Sequence, residues 1–435
     1  MSALLDTRTD RHGGVAAELA RALRPVTGGE LPVRLRAWDG SEAGPQGAPR
    51  VTITSPTALR RVLWHPGELG AAQAYVRGEI IVEGDLDATL THVRSVVAER
   101  SLAGTRPPVG GLLTALRTAA RLGALGPRPP SPASQSHVRG RLHTRERDRS
   151  AISHHYDLSN AFYATILDER MAYSSAYWTS EDADQTLEEA QADKLALVCR
   201  KVGLVPGSRL LDVGCGWGSL SLFAAEHFDA QVTGVTISAE QKAFIDARIA
   251  ERGLDERVEI RLQDYRDALT DPRTGPGSFD AVASIEMGEH VGRDNYPTYV
   301  GVLRDAVRPG GRVLIQQMSR RGRHPGGGPF IESFIAPDMH MRPVGETVAL
   351  IEAGGLEVRD VHALREHYVR TVDHWLRRFE AHLDDLRALV PEEVIRVWRL
   401  YLVGGRMAFR DGRMGVDQIL AIRPGDHDLP QVRSW

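Results

Sequence analysis

Three glycines at alternate positions follow a short apolar segment near the middle of the chain. Residues Leu210 to Gly218 read Leu-Leu-Asp-Val-Gly-Cys-Gly-Trp-Gly, and a helical pattern comes next. Glycine lets the main chain turn tightly and lets a ligand approach the backbone without meeting a Cβ atom. The GxGxG spacing differs from the GxGxxG of dinucleotide-binding turns. The pattern predicts a strand at Arg209 to Val213, a ligand-binding turn and a helix.

A second apolar segment, Gln231 to Ile237, supports this interpretation. It leads into Ser238 and Gln241, an arrangement typical of a strand followed by a capped helix. In a doubly wound sheet, the loop after the second strand is where the ribose of an adenosine lies. The glycine loop resembles motif I of the S-adenosylmethionine (SAM) methyltransferases, and this resemblance implies SAM as the cofactor.

Several further motifs occur in a fixed order along the chain. They are His155–Asn160 (HYDLSN), Tyr173–Trp178 (YSSAYW), Gln263–Asp267 (QDYRD) and Glu289–Gly292 (EHVG). With the glycine loop, this set resembles the cyclopropane-fatty-acyl-phospholipid synthase family, whose SAM-dependent members alkylate double bonds in lipid acyl chains. The resemblance is strong over roughly residues 140–425 and looser over residues 70–79. It implies a C-methyltransferase acting on the unsaturated acyl chain of a phospholipid.

The resemblance also implies which residues bind the cofactor, from the methionine part through the ribose to the adenine. They are Tyr173, Ser174, Asp212, Gly214, Gly216, Gly218, Thr236, Gln241, Gln263 and Asp264. For Gln263 and Asp264, the spacing alone equally allows an ordinary turn at the end of a strand.

Methyl transfer to an alkene leaves a carbocation, and a base must then remove a proton. The resembling family uses bicarbonate, held by a Cys backbone, a Glu, a His and a Tyr. Glu289 and Tyr368 match the Glu and the Tyr, whereas Ser175 stands at the Cys position and Gln316 at the His position. An amide binds an anion but does not titrate near neutral pH. The alternatives are bicarbonate held by these residues, Glu289 as the base, or structural roles for Glu289 and Tyr368; no metal site is assigned.

The altered residues at positions 175 and 316 bear on the product. A weaker or displaced base gives the carbocation time for a hydride shift, after which proton loss yields a methylene branch. We therefore predict a methylene-branched (10-methylene type) acyl chain, with a cyclopropane as the alternative. Two remote alternatives are a small-molecule N- or O-methyltransferase and an inactive SAM-binding protein at a lipid surface. Whether a separate reductase acts next stays open.

The elements that must position these residues follow from the hydrophobic pattern. Strands are predicted at 209–213, 232–237, 258–263, 279–284 and 312–317, alternating with helices, and the C-terminal segments 339–353 and 372–407 read as mostly helical. Such alternation predicts a parallel sheet covered on both faces. The predicted fold is α/β: a class I SAM-methyltransferase doubly wound sheet with a helical acyl-chain cover, preceded by a small N-terminal α/β domain.

Composition limits the remaining choices. With 435 residues, two domains are expected: a lipid-engaging domain at 1–100, a Pro/Arg-rich linker at 101–150 and the catalytic domain at 151–435. A net charge of −3 argues against a nucleic-acid partner bound through bulk charge. The two cysteines, the lack of a signal peptide and the lack of a run of roughly 20 apolar residues predict a cytoplasmic protein.

The linker carries a positive bias. Residues 117–149 contain eight arginines and no lysine, against Glu146 and Asp148. A helix at Gly111 to Ala124 would place Leu112 and Leu116 on one face, and a basic amphipathic helix of this kind binds anionic lipid. The predicted location is therefore peripheral, at the inner face of the membrane; a solvated tether is the alternative. The oligomeric state stays open, with a homodimer among the alternatives.

Overall fold

A computed structural model describes residues 13–102, 109–136, 142–148, 158–182, 184–322, 326–427 and 429–430. The chain divides into two compact units, which are residues 1–135 with 391–404, and residues 136–390 with 405–435. The boundary at 135/136 lies inside the segment predicted as a linker. None of the helices in the described ranges is both long and apolar enough to cross a membrane.

The first unit contains, in chain order, α1 (Val15–Thr27), β1 (Arg34–Arg36), β2 (Glu42–Ala43), β3 (Arg50–Ile53), α2 (Pro56–Trp64), α3 (Glu68–Val76), β4 (Ile80–Glu83), α4 (Leu86–Glu99) and α5 (Val109–Arg121). Its four strands form one sheet in the order β2-β1-β3-β4, in which only the β1–β3 pair is parallel. Apolar side chains of α1, β1, β3 and α2 form its core, including Leu19, Leu35 and Ile53.

Much of the predicted linker is folded onto this first unit. Helix α5 confirms the helix predicted at 111–124 and packs against α1. Farther along, the Arg61 guanidinium donates to the carbonyl of Pro130 at 2.8 Å, and Gln73 donates to Gln135 at 2.8 Å. Arg61 is almost fully buried and also pairs with Glu79 at 2.8 Å. The four described prolines of the predicted linker, Pro127, Pro129, Pro130 and Pro132, therefore lie in a segment held by side chains of α2 and α3.

The second unit contains α6 (Asn160–Ile166), α7 (Leu187–Val202), β5 (Arg209–Val213), α8 (Ser219–Phe228), β6 (Gln231–Thr236), α9 (Ala239–Arg252), β7 (Val258–Leu262), β8 (Phe279–Ile285), α10 (Tyr296–Ala306), β9 (Val307–Arg320), α11 (Pro329–Phe334), α12 (Val344–Ala353), β10 (Glu357–Ala363), α13 (Arg365–Ala381), α14 (Leu383–Leu389), α15 (Glu392–Arg410), which begins in the first unit, and β11 (Met414–Ile422). Its seven-stranded sheet has the order β10-β11-β9-β8-β5-β6-β7.

Five of these strands confirm the predicted parallel sheet, and two were not predicted. Strands β5 to β9 pair in parallel, whereas β11 is antiparallel to both of its neighbours, β9 and β10. The helix predicted from residue 339 begins only at Val344. The C-terminal part of the unit thus extends the sheet as well as supplying helices.

The strands of the sheet are apolar on both sides because both faces of the sheet are buried. Leu210 of β5 belongs to one apolar cluster, whereas Leu211 and Val213 belong to another. Because successive side chains of a strand point to opposite faces, both faces of β5 are covered. The parallel strands therefore end at one common edge, where the turns after β5, β6 and β8 lie together.

Candidate active site

The glycine loop after β5 gives its glycines different tasks. Gly214, Gly216 and Gly218 all have positive φ angles, of 78°, 54° and 79°. A Cβ atom on Gly214 would meet Met287 at 2.8 Å, and one on Gly218 would meet Ile245 at 2.9 Å. A Cβ atom on Gly216 would meet no described atom within 4 Å. Two glycines therefore permit close packing, and Gly216 leaves open space beside the loop.

This open space is part of one cavity at the common edge of the sheet. Nine of the ten predicted cofactor residues line it, and Gly218 is the exception because it packs against Ile245. The nine are Tyr173, Ser174, Asp212, Gly214, Gly216, Thr236, Gln241, Gln263 and Asp264.

Two amide side chains in the cavity retain unused hydrogen-bonding groups. Thr236 donates to Gln241 Oε1 at 2.9 Å, and Gln241 Nε2 is buried without a partner among the described residues. Gln263 Nε2 donates to the carbonyl of Asp267 at 2.8 Å, and Gln263 Oε1 is likewise buried without a described partner. A donor and an acceptor thus remain for a polar ligand, which fits the hydroxyl groups and base of a nucleoside.

The acids of the cavity are held in place by their own partners. Asp212 accepts from the Ser221 hydroxyl at 2.7 Å, and burial raises the pKa of Asp212 to about 6. Asp264 pairs with Arg266 at 2.7 Å. The side chain of Arg266 also reaches Asp148 at 2.8 Å, from a short segment that borders the cavity.

That segment, residues 142–148, is fixed by ion pairs. Arg145 pairs with Asp267, and Arg147 pairs with Asp338 at 2.5 Å. Two of the arginines in the positively charged stretch are therefore engaged with acids beside the cavity. Arg139, Arg141 and Arg149 lie outside the described residues.

A second group of side chains converges on Glu286, which the sequence analysis did not single out. The Ser175 N–H donates to Glu286 Oε1 at 2.8 Å, and Gln316 Nε2 donates to the same oxygen at 2.9 Å. The Tyr368 hydroxyl donates to Glu286 Oε2 at 2.8 Å. Gln418 orients Gln316 by donating to its Oε1 at 3.0 Å. Three of the four predicted catalytic residues are thus brought together, around a carboxylate.

Backbone conformation and burial make Glu286 unusual. It follows the last residue of β8 and has a φ of 49°, in the left-handed region that only glycine adopts without strain. Burial raises the pKa of Glu286, and the hydrogen bonds from Ser175, Gln316 and Tyr368 act in the opposite direction. Because a carboxylate only accepts hydrogen bonds, three donors stabilise its ionised form.

Glu289, the predicted catalytic carboxyl, does not join this group. It lies in a 3₁₀ turn (Gly288–His290), fully buried, and neither carboxyl oxygen accepts a hydrogen bond from a side chain of the described residues. Burial and the neighbouring Glu286 raise the pKa of Glu289 to about 8. The surroundings of Glu289 therefore favour its protonated form, whereas Glu286 receives the donors.

Aromatic rings line the route from the glycine loop to Glu286. Trp217 lies 4.6 Å from Tyr163, measured between ring centroids, and Tyr173 lies 5.4 Å from Trp375. Trp375 in turn lies 5.9 Å from Tyr368. These rings form a packed aromatic wall, of which Tyr173 and Trp217 line the cavity.

Bicarbonate does not fit the group around Glu286, because the three donors that would hold it already bind the Glu286 carboxylate.

The sequence contained a signal for Glu286. Glu286 is an acid at the carboxyl end of a predicted strand, the position where ligands bind in open α/β sheets. No described group of three or more His, Cys, Asp or Glu residues could hold a metal ion.

The sheet, the glycine loop and the cavity beside it define a SAM-dependent methyltransferase of class I fold. Residues 143–419 match the family described as mycolic acid cyclopropane synthetase, and the chain belongs to this family. The chain is 38% identical to a "Probable fatty acid methyltransferase" of Pseudomonas putida, over 96% of this chain and 98% of the relative.

Two further similarities come from Mycobacterium tuberculosis. The tuberculostearic acid methyltransferase UfaA1 is 34% identical, over 94% of this chain and 92% of the relative. The solved structure of the cyclopropane synthase MmaA2 superposes with a TM-score of 0.58 at 29% identity, covering 65% of this chain and 100% of that chain. The protein is thus a SAM-dependent methyltransferase of the cyclopropane-fatty-acyl-phospholipid synthase type.

Proposed function

We propose that this enzyme methylates the double bond of an unsaturated acyl chain of a phospholipid and forms a methylene branch, with Glu286 as the base. The observation that carries the proposal is the set of three donors on the buried Glu286 carboxylate. A heteroatom substrate would need a base for its own proton but no water-free, aromatic surroundings. The family relationship favours a lipid substrate.

The cofactor site is proposed in the cavity beside the glycine loop. SAM bound there supplies an electrophilic methyl group. Gly216 leaves room for the ligand next to the backbone, while the unpartnered Gln241 Nε2 and Gln263 Oε1 provide a donor and an acceptor for its nucleoside part. Tyr173 and Trp217 cover the cavity from the side of the aromatic wall.

The aromatic wall is proposed to protect the reacting acyl chain. The alkene π electrons form the new C–C bond to the methyl group, the C–S bond breaks, and the neighbouring alkene carbon becomes cationic. The faces of Trp375 and Tyr368 stabilise positive charge, and their apolar packing keeps water from capturing it.

Glu286 then removes the proton. For a methylene product, a hydride first shifts from the methylated carbon to the cationic carbon. A methyl C–H bond then breaks, its electron pair forms the C=C bond, and the proton passes to Glu286. Ser175, Gln316 and Tyr368 hold the carboxylate in place for this transfer. No step requires bicarbonate.

The neutral Gln316 favours the branched product. Since an amide cannot take a proton near neutral pH, the Glu286 carboxylate is the single base of this group, and the cation persists long enough for the hydride shift. Full-length similarity to a relative named as a methyltransferase, rather than as a cyclopropane synthase, supports the same product.

The test is incubation of the purified protein with methyl-labelled SAM and oleoyl phospholipid vesicles. NMR of the lipid should show label in an exocyclic methylene group, with vinylidene signals. A labelled cyclopropane signal would show that the product is the ring and not the methylene branch. An unlabelled lipid would refute the proposed function.

The role of Glu286 can be tested by chemical rescue. Glu286→Gly removes the carboxylate, and glycine readily adopts the left-handed backbone conformation at this position. The three donors remain and can bind a small carboxylate such as formate in its place. We expect the variant to be inactive and to regain part of its activity when formate or bicarbonate is added. Glu366→Gly, at an exposed carboxyl, is the control and should not respond. A lack of rescue in folded, SAM-binding Glu286→Gly protein would contradict a base at this position.

The exposed face of α5 is the proposed contact with anionic membrane. Leu112, Leu113 and Leu116 are 51%, 48% and 40% exposed, although α5 packs against α1 along its other face. The exposed Arg117 lies one residue from Leu116, and Arg121 follows one turn later, with a long 3.7 Å pair to Glu18 and a 3.4 Å hydrogen bond to the Thr118 hydroxyl. Leucines that enter the acyl region beside arginines that contact phosphate suit an anionic lipid surface.

Flotation with vesicles containing phosphatidylglycerol tests this contact. Leu112→Glu/Leu116→Glu should lower the bound fraction at least about tenfold, because burial of two leucines is lost and negative charge is added. Val205→Glu, at a 62% exposed apolar residue elsewhere, should bind as the wild type does. Equal binding of all three proteins to the vesicles would contradict the proposal. A double variant that changes from dimer to monomer but floats as the wild type does would also contradict it, because the leucines would then contact a second copy of the chain.

A further inference from the structure

We propose that Lys194 is a positioning residue that maintains Glu286 in its ionised form and anchors the segment that holds it. The inference rests on the proposed role of Glu286 as the base. Lys194 lies on α7, is 1% exposed and borders the same cavity as Ser174 and Glu286. None of the motifs considered in the sequence analysis contains it.

The contact between Lys194 and the base passes through two adjacent serines. Lys194 Nζ donates to the Ser174 hydroxyl at 2.9 Å. The next residue, Ser175, donates its N–H to Glu286 at 2.8 Å. Gln191, one turn earlier on α7, also holds this segment by donating to the Ser174 carbonyl at 2.9 Å. Helix α7 therefore determines where the Ser175 N–H points.

A second buried lysine on the same helix, Lys201, has contacts typical of a purely structural ion pair. Lys201 is fully buried two turns after Lys194, and its ammonium pairs with Asp360 at 3.2 Å and contacts His362 at 3.2 Å. Lys194 instead contacts a neutral hydroxyl, and the acids near it are Glu286 and Asp212, which line the cavity, and the buried Asp168. Because a buried ammonium needs compensating negative charge, the carboxylates of the site contribute to it together with Asp168.

Those acids and their neighbours come from every element packed around Lys194. Burial lowers the pKa of Lys194, while Glu286 first, then Asp168 and Asp212, act in the opposite direction. Glu286 in turn faces the Tyr368 hydroxyl on α13 and the Glu289 carboxyl in the turn after β8, with Arg342 beyond Glu289. Lys194 lowers the pKa of Glu286 and so opposes the effect of burial.

The chemical consequence concerns the state of the base before each turnover. Glu286 can accept a proton from the acyl chain only if it starts as a carboxylate. A cation within a few ångströms lowers the pKa of a carboxyl by about one to three pH units. Without Lys194, burial beside another carboxyl would favour the protonated form of Glu286 more strongly.

The experiment compares Lys194→Met with Lys201→Met in the full-length enzyme. We expect the acid limb of kcat against pH, at saturating SAM and oleoyl phospholipid, to move upward by about one to three pH units in Lys194→Met. Lys201→Met removes an equally buried lysine from the same helix and should lose stability without moving this limb. Lys194→Arg retains the cation and should restore the wild-type profile.

Other results would overturn the inference. An acid limb that does not move in active Lys194→Met would contradict the inference. If this variant also bound S-adenosylhomocysteine more weakly, Lys194 would be assigned to the cofactor carboxylate instead. If Lys194→Met does not fold, Lys194→Gln keeps a donor for Ser174, removes the charge and should show the same shift. Wild-type protein inactive on oleoyl phospholipid would refute the proposed function itself, before any variant is made.

Discussion

The glycine loop and the group around Glu286 are built in opposite ways. The loop is one continuous stretch of main chain, Gly214 to Gly218, that follows directly from β5. The group around Glu286 joins side chains and one N–H from four separate segments, with partners at positions 175, 316 and 368. The loop therefore depends on local backbone conformation, whereas the carboxyl site depends on the packing of the whole unit.

This difference separates binding from chemistry. A change in the loop alters the shape available to the cofactor and leaves the base in place. Glu286 borders the same cavity, but a conservative change of its carboxyl leaves the loop and the residues proposed for the nucleoside part in place and should alter mainly the proposed proton removal. Variants of the two regions should therefore have opposite effects on binding and on turnover.

The largest expected effect is that Glu286→Gln and Gly216→Val impair different properties: the first should lower turnover, and the second should weaken cofactor binding. Glu286→Gln should lower kcat by about 10²–10⁴-fold without changing the Kd of S-adenosylhomocysteine, because only the base is lost. Gly216→Val places a branched side chain in a left-handed conformation and in the cavity, and should raise that Kd at least about tenfold. Calorimetry and single-turnover rates measure the two effects, and equal losses of binding in both variants would abolish the distinction.

A smaller effect is expected from Gln316→His, which sharpens the carboxyl side of the comparison. A neutral histidine can keep both hydrogen bonds, accepting from Gln418 and donating to Glu286, and it adds a second group able to take a proton. Earlier proton removal should raise the cyclopropane fraction of the product, with kcat within about tenfold of wild type.

NMR of the product measures that fraction. Gln317→His is the matched control, since Gln317 is the next residue of β9 and its amide oxygen accepts from Tyr296 at 2.7 Å instead. The control should leave the product unchanged. An unaltered product in Gln316→His would mean that this residue does not influence how long the cation survives.

The smallest expected effect concerns stability and Glu289. The folded-state pKa of about 8 exceeds the ordinary value of 4.5, so the folded protein binds more protons than the unfolded chain between these values. Stability contributed by protonated Glu289 is therefore present at low pH and is lost as the pH rises through about 8. Glu289→Gln cannot titrate and should be more stable than wild type above pH 8, by about 1–3 kcal/mol.

Thermal unfolding at several pH values measures this difference, which should shrink toward pH 5. Glu366→Gln, at a 71% exposed carboxyl, is the control and should follow the wild type throughout. A destabilised Glu289→Gln at high pH would show that Glu289 is ionised and paired in the folded protein.

The sequence predicted the strands and helix starts around the cavity well because their information is local. The strand before Gly214, the cap at Ser238 and the alternation of strands and helices are all short-range patterns. Strands β10 and β11 were missed since they lie at the end of a long, mostly helical region. Their antiparallel pairing is visible only from the partner strand β9.

The carboxyl site was predicted only in part because its key residue departs from a familiar pattern. Ser175, Gln316 and Tyr368 were found through their motifs, while Glu289 drew attention as the matching acid. Glu286, three residues earlier, has a side chain whose direction depends on a left-handed φ of 49°. Neither spacing nor hydrophobic periodicity reports a backbone angle of that kind.

The left-handed conformation at position 286 also has a genetic consequence. The codons for glutamate and glycine differ by a single base, and glycine is the residue that this conformation accommodates without strain. On the proposed role of Glu286, one point mutation therefore separates an enzyme that carries its base within the chain from one that must take a base from its surroundings. Within a lineage, dependence on dissolved carbon dioxide could be gained or lost in one mutational step, with the rest of the fold unchanged.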